Sequence, residues 1–185
     1  MKENGLCVWI TGLPGSGKSV VSEALLNLLR EKGVSAQLLS SDGLRKIMTP
    51  EPTYSPEERD LIYSTLAYIA KLLTDNRINV IIDATGNLRC YRERARQQIL
   101  TFMEAYLQCP LDICVQREAN RDKTYHAPKH IYARAAKGEA PTVPGIGQPY
   151  EPPLHPEITL DSVKLTPEEC AIEIMKKLLA LLSRD

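Results

Sequence analysis

The chain of 185 residues has no net charge, no long apolar run, no paired-cysteine spacing and no internal repeat. Each absence removes a class of protein. Its 23 Lys+Arg are balanced by 23 Asp+Glu, so it lacks the basic excess that coats polymeric nucleic acid or an anionic membrane. A membrane span needs roughly 20 apolar residues in succession. The first apolar run, Leu6–Ile10, is far shorter and passes at once into glycines, so it does not resemble the core of a signal peptide either. The five cysteines (Cys7, Cys90, Cys109, Cys114, Cys170) are odd in number and form no CxxC pair. They read as reduced thiols of a cytoplasmic protein, mostly small core residues. With no dividing linker the length fits one domain, residues 1–185, and 43% apolar content can bury a core without disulfides or structural metal.

What is present is an alternation of apolar runs and helical patterns. Leu6–Ile10 is continuously apolar, as strands buried on both faces of a parallel sheet are. A Gly-rich turn then leads to a helix over about Lys18–Lys32, with Val21, Leu25, Leu28 and Leu29 on one face and Gly33 at its end. A second strand covers about Ala36–Ser40. Ser55-Pro56-Glu57-Glu58 has the grammar of a capped helix start, and that helix is expected to reach about Leu73. Ile78–Asp83 is a β-branched strand. Leu88–Leu100 reads as helix, Met103–Leu107 as strand, Pro110–Arg117 as a short helix and Ile158–Leu160 as a last strand. Thr166-Pro167-Glu168-Glu169 repeats the capping pattern before a final helix. The alternation predicts a three-layer α/β/α fold around a parallel sheet.

Gly12-Leu13-Pro14-Gly15-Ser16-Gly17-Lys18-Ser19 matches G-x-x-x-x-G-K-[ST] between the first strand and the first helix. Glycines let the backbone close around phosphate oxygens, and free N–H groups at a helix start supply positive potential. Gly12, Gly15, Ser16, Gly17, Lys18, Ser19 and Val20 are therefore the expected ATP-binding residues. Lys18 reaches the β/γ-phosphates, and the Ser19 hydroxyl ligates Mg²⁺. Asp42 and Arg45 follow the second strand, at the carboxyl end where ligands gather. Asp42 could accept a hydroxyl proton or hold Mg²⁺, and Arg45 could clamp an anion; the bland alternative is an Asp-Gly turn. Asp83 ends an apolar strand, a pattern that serves either Mg²⁺ or a simple turn.

Charge is unevenly spread. Six basic residues fall between Arg117 and Lys137, and four arginines between Arg89 and Arg96. Solvated helix faces account for part of this. A lid over phosphates, at about residues 118–147, accounts for the rest, with some of Arg117, Arg121 and Lys129 acting on the ligand. His126 and His130 lack further metal ligands and read as lid surface.

Four blocks resemble the adenylylsulfate (APS) kinase family: Gly12–Ser19; Asp42–Arg45 with Tyr54-Ser55-Pro56-Glu57-Glu58-Arg59; Pro128-Lys129-His130-Ile131-Tyr132; and Gly145-Ile146-Gly147-Gln148-Pro149-Tyr150-Glu151-Pro152-Pro153. The last is similar to the family's T-G-I-x-x-P-Y-E-P-P. The resemblance implies a P-loop fold and transfer of the ATP γ-phosphoryl group to the 3′-hydroxyl of APS. It implies Asp42 as base or Mg²⁺ organiser, and Arg45, Tyr54, Arg59, Thr85, Lys129 and Ile146 on the acceptor. It also places Arg117 over the ATP base and implies a homodimer. The chain departs from the family at Ser40, Ile62, Gly86 and Val143, and its lid is longer after Arg117. A related kinase for another small-molecule, nucleoside or polynucleotide hydroxyl is the alternative, and a non-catalytic nucleotide sensor the third.

Overall fold

The computed structural model describes residues 4–125 and 127–182, so the expectation for His126 lies outside the described residues. In chain order the elements are β1 (Leu6–Thr11), α1 (Lys18–Glu31), β2 (Ala36–Ser40), α2 (Ser41–Met48), α3 (Pro56–Asp75) and β3 (Asn79–Asp83). Then follow α4 (Arg89–Gln98), β4 (Thr101–Gln108), α5 (Leu111–Asn120), α6 (Ile131–Ala136), β5 (Ile158–Asp161) and α7 (Pro167–Leu182). The five strands pair in parallel in the order β2-β3-β1-β4-β5.

Strand β1 explains the three layers. Its side chains alternate between two cores, which is why all six residues are buried and the first five, Leu6–Ile10, are apolar. Leu6, Val8 and Ile10 join Val21, Leu25 and Leu29 of α1 and Ile174 and Leu178 of α7. Cys7 and Trp9 join Ile62, Tyr63 and Leu66 of α3 and Tyr91 and Ala95 of α4. A third, smaller cluster sits outside the sheet, where Cys114 of α5 meets Tyr132 of α6 and Val143. All five cysteines are free, and only Cys90 is exposed.

Several local expectations are corrected. Asp42-Gly43 is not a turn but the first turn of α2, and Ser40 caps that helix by accepting from Gly43 N–H at 3.3 Å. The Ser55 box is half formed. Ser55 Oγ accepts from Glu58 N–H at 3.2 Å, but the Glu58 carboxylate turns away to the backbone of Thr53 and Tyr54. At α7 the box is complete, Thr166 and Glu169 each receiving the other's N–H. Helix α4 stops at Gln98, two residues early, because Ile99 is already extended and opens the way into a longer β4.

Candidate active site

Parallel pairing sets the strand ends level. Asp83 lies opposite both Ile10 of β1 and Ser40 of β2. The loop after β1, the start of α2 and the end of β3 therefore share one crevice, at the point where the chain switches from one side of β1 to the other. The cavity there measures about 920 Å³; its lining includes Gly15–Val21 at one end, the Arg45, Tyr54 and Arg59 cluster at the other, and Asp42, Asp83 and Thr85, with Asp42 close enough to act on both Lys18 and Tyr54.

The phosphate end is built from backbone. Gly15 has φ +82°, and a Cβ there would meet the Cys114 carbonyl oxygen of α5 at 2.4 Å, so the residue is held to glycine by conformation and by packing. Ser16 Oγ is buried without a protein hydrogen-bond partner, a polar atom left for an anion in the loop. Lys18 is buried, and its Nζ donates to the Leu13 carbonyl at 3.0 Å. Burial pulls its pKa down, opposed by the nearby Asp83 and Asp42 carboxylates. Asp83, also buried, is pushed up by desolvation, while Lys18 and a hydrogen bond from Ser19 pull it back. Ser19 and Asp83 thus present adjacent hard oxygens. Mg²⁺ takes one or two carboxylates and completes its shell with water and phosphate oxygens, so this pair fits that ion.

The acceptor end is built from side chains. The Arg45 guanidinium is buried against the Glu58 carboxylate, which also receives the Thr53 backbone N–H at 2.5 Å, the Thr53 hydroxyl at 2.7 Å and the Tyr54 N–H at 3.0 Å. Burial alone would raise Glu58, but these bonds and Arg45 hold it below the usual carboxylate range. Tyr54 sits at φ +55°, with Arg45 Cζ 4.7 Å and Arg59 Cζ 5.8 Å from its ring centre. Arg59 donates to the Tyr54 carbonyl at 3.1 Å and the Thr142 carbonyl at 2.6 Å. Arg117 also lines the crevice, tied to Ser162 through its hydroxyl at 3.2 Å and its carbonyl at 2.7 Å.

Of the expected residues, three stand apart from this lining. Gly12 lies beneath the loop, against Ser16 and the Leu107 carbonyl. Lys129 is exposed and does not line the crevice, although Pro128 beside it does. Ile146 is half exposed in a separate shallow groove with Leu13 and Tyr106. Val20 is on the rim, and the Thr85 carbonyl receives the Thr11 hydroxyl at 2.7 Å. Glu58, Thr53, Thr142 and Ser162 escaped sequence reasoning as site residues. Glu58, Thr142 and Ser162 each hold an arginine 13, 83 and 45 residues away, and only those arginines were conspicuous; Thr53 enters through Glu58. Tyr132 was seen only as part of a block. Its hydroxyl donates to the Pro14 carbonyl at 2.8 Å and ties the lid to the phosphate loop.

Comparison with known proteins decides the family. Residues 4–161 match the family model described as adenylylsulphate kinase. The chain belongs to the adenylylsulphate kinase family. It is 35% identical over 178 residues to an adenylyl-sulfate kinase of Rippkaea orientalis, covering 96% of this chain and 93% of that one. A probable adenylyl-sulfate kinase of Pyrococcus abyssi is 35% identical over 173 residues, 94% of each. Among solved structures, the Mycobacterium tuberculosis APS kinase CysC in complex with AMPPNP and APS superposes with a TM-score of 0.84 at 33% identity, covering 95% of this chain and 98% of that one. The kinase family accounts for the crevice having two chemically different ends.

Proposed function

We propose that this chain is an ATP- and Mg²⁺-dependent adenylyl-sulfate kinase that phosphorylates the 3′-hydroxyl of APS. One observation carries this. A single crevice holds a phosphate loop, an aromatic and arginine-lined wall, and Asp42, whose charge is felt both at Lys18 of the loop and at Tyr54 of the wall. The loop amides, Ser16 and Lys18 bind the triphosphate and put the γ-phosphorus in reach of the acceptor, which is most of what phosphoryl transfer asks of a protein. Asp42 orients the acceptor hydroxyl and takes its proton as the new O–P bond forms and the bond to the β-phosphate oxygen breaks, leaving ADP. Mg²⁺, held by Ser19 and Asp83 with Asp42 nearby, would neutralise phosphate charge there. Tyr54 offers a ring for the acceptor's base, and Arg45 and Arg59 offer positive charge to its phosphosulfate.

The whole chain acts as one kinase domain with residues 118–147 as its lid. Self-association, as the family resemblance implies, belongs to the same proposal and is checked by sedimentation. No helix among the described residues is long and apolar enough to cross a membrane, and a cytoplasmic site of action fits a kinase that draws on ATP.

The test is to incubate purified protein with Mg-ATP and a panel of acceptors. Conversion of APS at micromolar concentration to the 3′-phosphorylated product, lost in Asp42→Ala and Lys18→Ala, is the expected outcome. Turnover on another hydroxyl with none on APS sinks it, and ATP binding without transfer to any acceptor points instead to a nucleotide sensor.

A further inference from the structure

Three consecutive residues of the phosphate loop are gripped from outside the crevice, each by a different neighbour. Leu13 packs with Leu111 of α5 and with Gly145, where an added Cβ would come within 2.9 Å of Leu13 Cδ2. Gly15 lies directly against the Cys114 carbonyl of α5. Between them the Pro14 carbonyl receives the Tyr132 hydroxyl of α6 at 2.8 Å. The first grip is apolar and the last is steric. The Tyr132 bond is directional, and of the three it alone fixes how a peptide unit is turned.

Tyr132 is 2% exposed, in the cluster of Cys109, Cys114 and Val143. A phenylalanine would fill that space as well, whereas a buried hydroxyl must find an acceptor or go unpaired. Burial also pushes the phenol pKa up, so the group stays a donor at neutral pH. The Pro14–Gly15 peptide is trans, and a planar trans unit points its carbonyl and its N–H to opposite sides. A Pro14 carbonyl fastened to α6 therefore turns the Gly15 N–H away from that helix. Gly15 lines the crevice at φ +82°, and amides around such a residue form anion-binding concavities. The preceding carbonyl is held by the loop itself, for Leu13 accepts from Ser16 N–H and from Lys18 Nζ, each at 3.0 Å.

We infer that Tyr132 is a positioning residue for nucleotide binding, whose hydroxyl holds the Pro14–Gly15 peptide with its N–H facing the phosphates. This rests on the ATP-binding reading above and deepens it. Without the hydroxyl that peptide is free to rotate. Only loops with the amide in place then bind, and affinity falls by that fraction. The loop amides cradle phosphates that ADP and ATP share, so both nucleotides lose alike.

The test uses the full-length protein and calorimetric titration with Mg-ATP and with Mg-ADP, well below the melting temperature of every variant. Tyr132→Phe is expected to weaken both about 3–10-fold, the range for one neutral hydrogen bond. With APS as acceptor, KM for Mg-ATP should rise by the same factor while kcat is kept, because the loop grips substrate and transition state equally. Ile113→Ala is the packing control, since Ile113 belongs to the same apolar cluster but does not line the crevice. It is expected to lower the melting temperature and leave both affinities unchanged. Unaltered affinities in Tyr132→Phe would reduce the hydroxyl to a fastener of the lid and overturn the assignment. Equal losses in Ile113→Ala would trace the effect to the cluster as a whole and overturn it too. Failure of the unaltered protein to bind Mg-ATP overturns the nucleotide site itself, and binding without transfer to APS overturns the acceptor reading alone.

Discussion

The two ends of the crevice are built by opposite means. At the phosphate end eight consecutive residues, Gly12–Ser19, offer backbone amides, one lysine and two serine hydroxyls to the proposed triphosphate. At the acceptor end Arg45, Thr53, Tyr54, Glu58, Arg59 and Thr142 come from α2, α3 and two loops. Their charges are compensated inside the protein, Arg45 by Glu58 and Arg59 by two carbonyls. The first end is an open receptor whose stability does not depend on its function. At the second, the side chains that would recognise the acceptor also hold the wall together.

Mutations can break that contrast. Lys18→Ala is expected to cut transfer from Mg-ATP by roughly 10³–10⁵-fold, the range for one cation on a migrating phosphoryl group. The melting temperature should not fall, because the buried ammonium is held against a desolvation cost. A large fall would show the phosphate end to be structural as well. Glu58→Ala is the counterpart. It leaves the Arg45 guanidinium buried and uncompensated, and should cost about 3–5 kcal/mol in a denaturant titration. If stability is kept, the wall does not rest on this pair.

Gly86→Ser comes next. Gly86 has φ +47°, and a Cβ would lie 2.8 Å from Trp9 Cζ2 and 3.0 Å from Arg92 Cγ. A serine there should cost about 1–3 kcal/mol and raise no activity, measured by melting and turnover together. A neutral effect would mean that the turn after β3 yields more readily than its packing indicates.

The smallest effect is one of pH. Asp83 is pushed up and Glu58 held down, so acidification separates the two ends. Mg-ATP affinity should fade as Asp83 protonates, above the ordinary aspartate value of about 3.9. Folding stability loses nothing by this, because a carboxyl with a raised pKa is destabilising while charged. Glu58 contributes stability that is full above the ordinary glutamate value of about 4.3 and is lost only as pH falls through its lower folded value. Binding and unfolding followed from pH 7 downward should therefore part, binding failing first. Asp83→Asn should remove the early limb, and coincident limbs would refute the opposed shifts.

The same contrast explains what was legible in the sequence. A cradle of consecutive residues is readable because its chemistry needs them adjacent. The strands were readable because burial on both faces leaves an unbroken apolar run in β1 and β3. Helix α2 was not foreseen because its eight residues include Asp42, Gly43 and only a few apolar positions, and Ser40 gives its cap from the strand end. Glu58 looked like a capping residue because Ser55 lies at the right spacing. Its true partner, Arg45, is thirteen residues earlier, a separation that no local pattern encodes. Lys129 sits in a distinctive block yet is exposed and absent from the crevice lining, while Arg121, in the extra length of the lid, is part of that lining.

Arg92 of α4 fastens distant parts of this architecture. Its guanidinium donates to Glu104 of β4 at 2.5 Å, to the Gly86 carbonyl in the turn after β3, and to the Glu151 carbonyl at 2.6 Å. Asn87 and Arg89 add bonds to Pro149, Glu151 and Pro152. The Pro149–Pro152 stretch is thus a clasp for the turn that begins at Thr85, more than sixty residues upstream. On the ribosome this imposes an order of completion. A nascent chain that has already made its phosphate loop, the first four strands and the whole lid must still wait for residue 151 before that turn is locked.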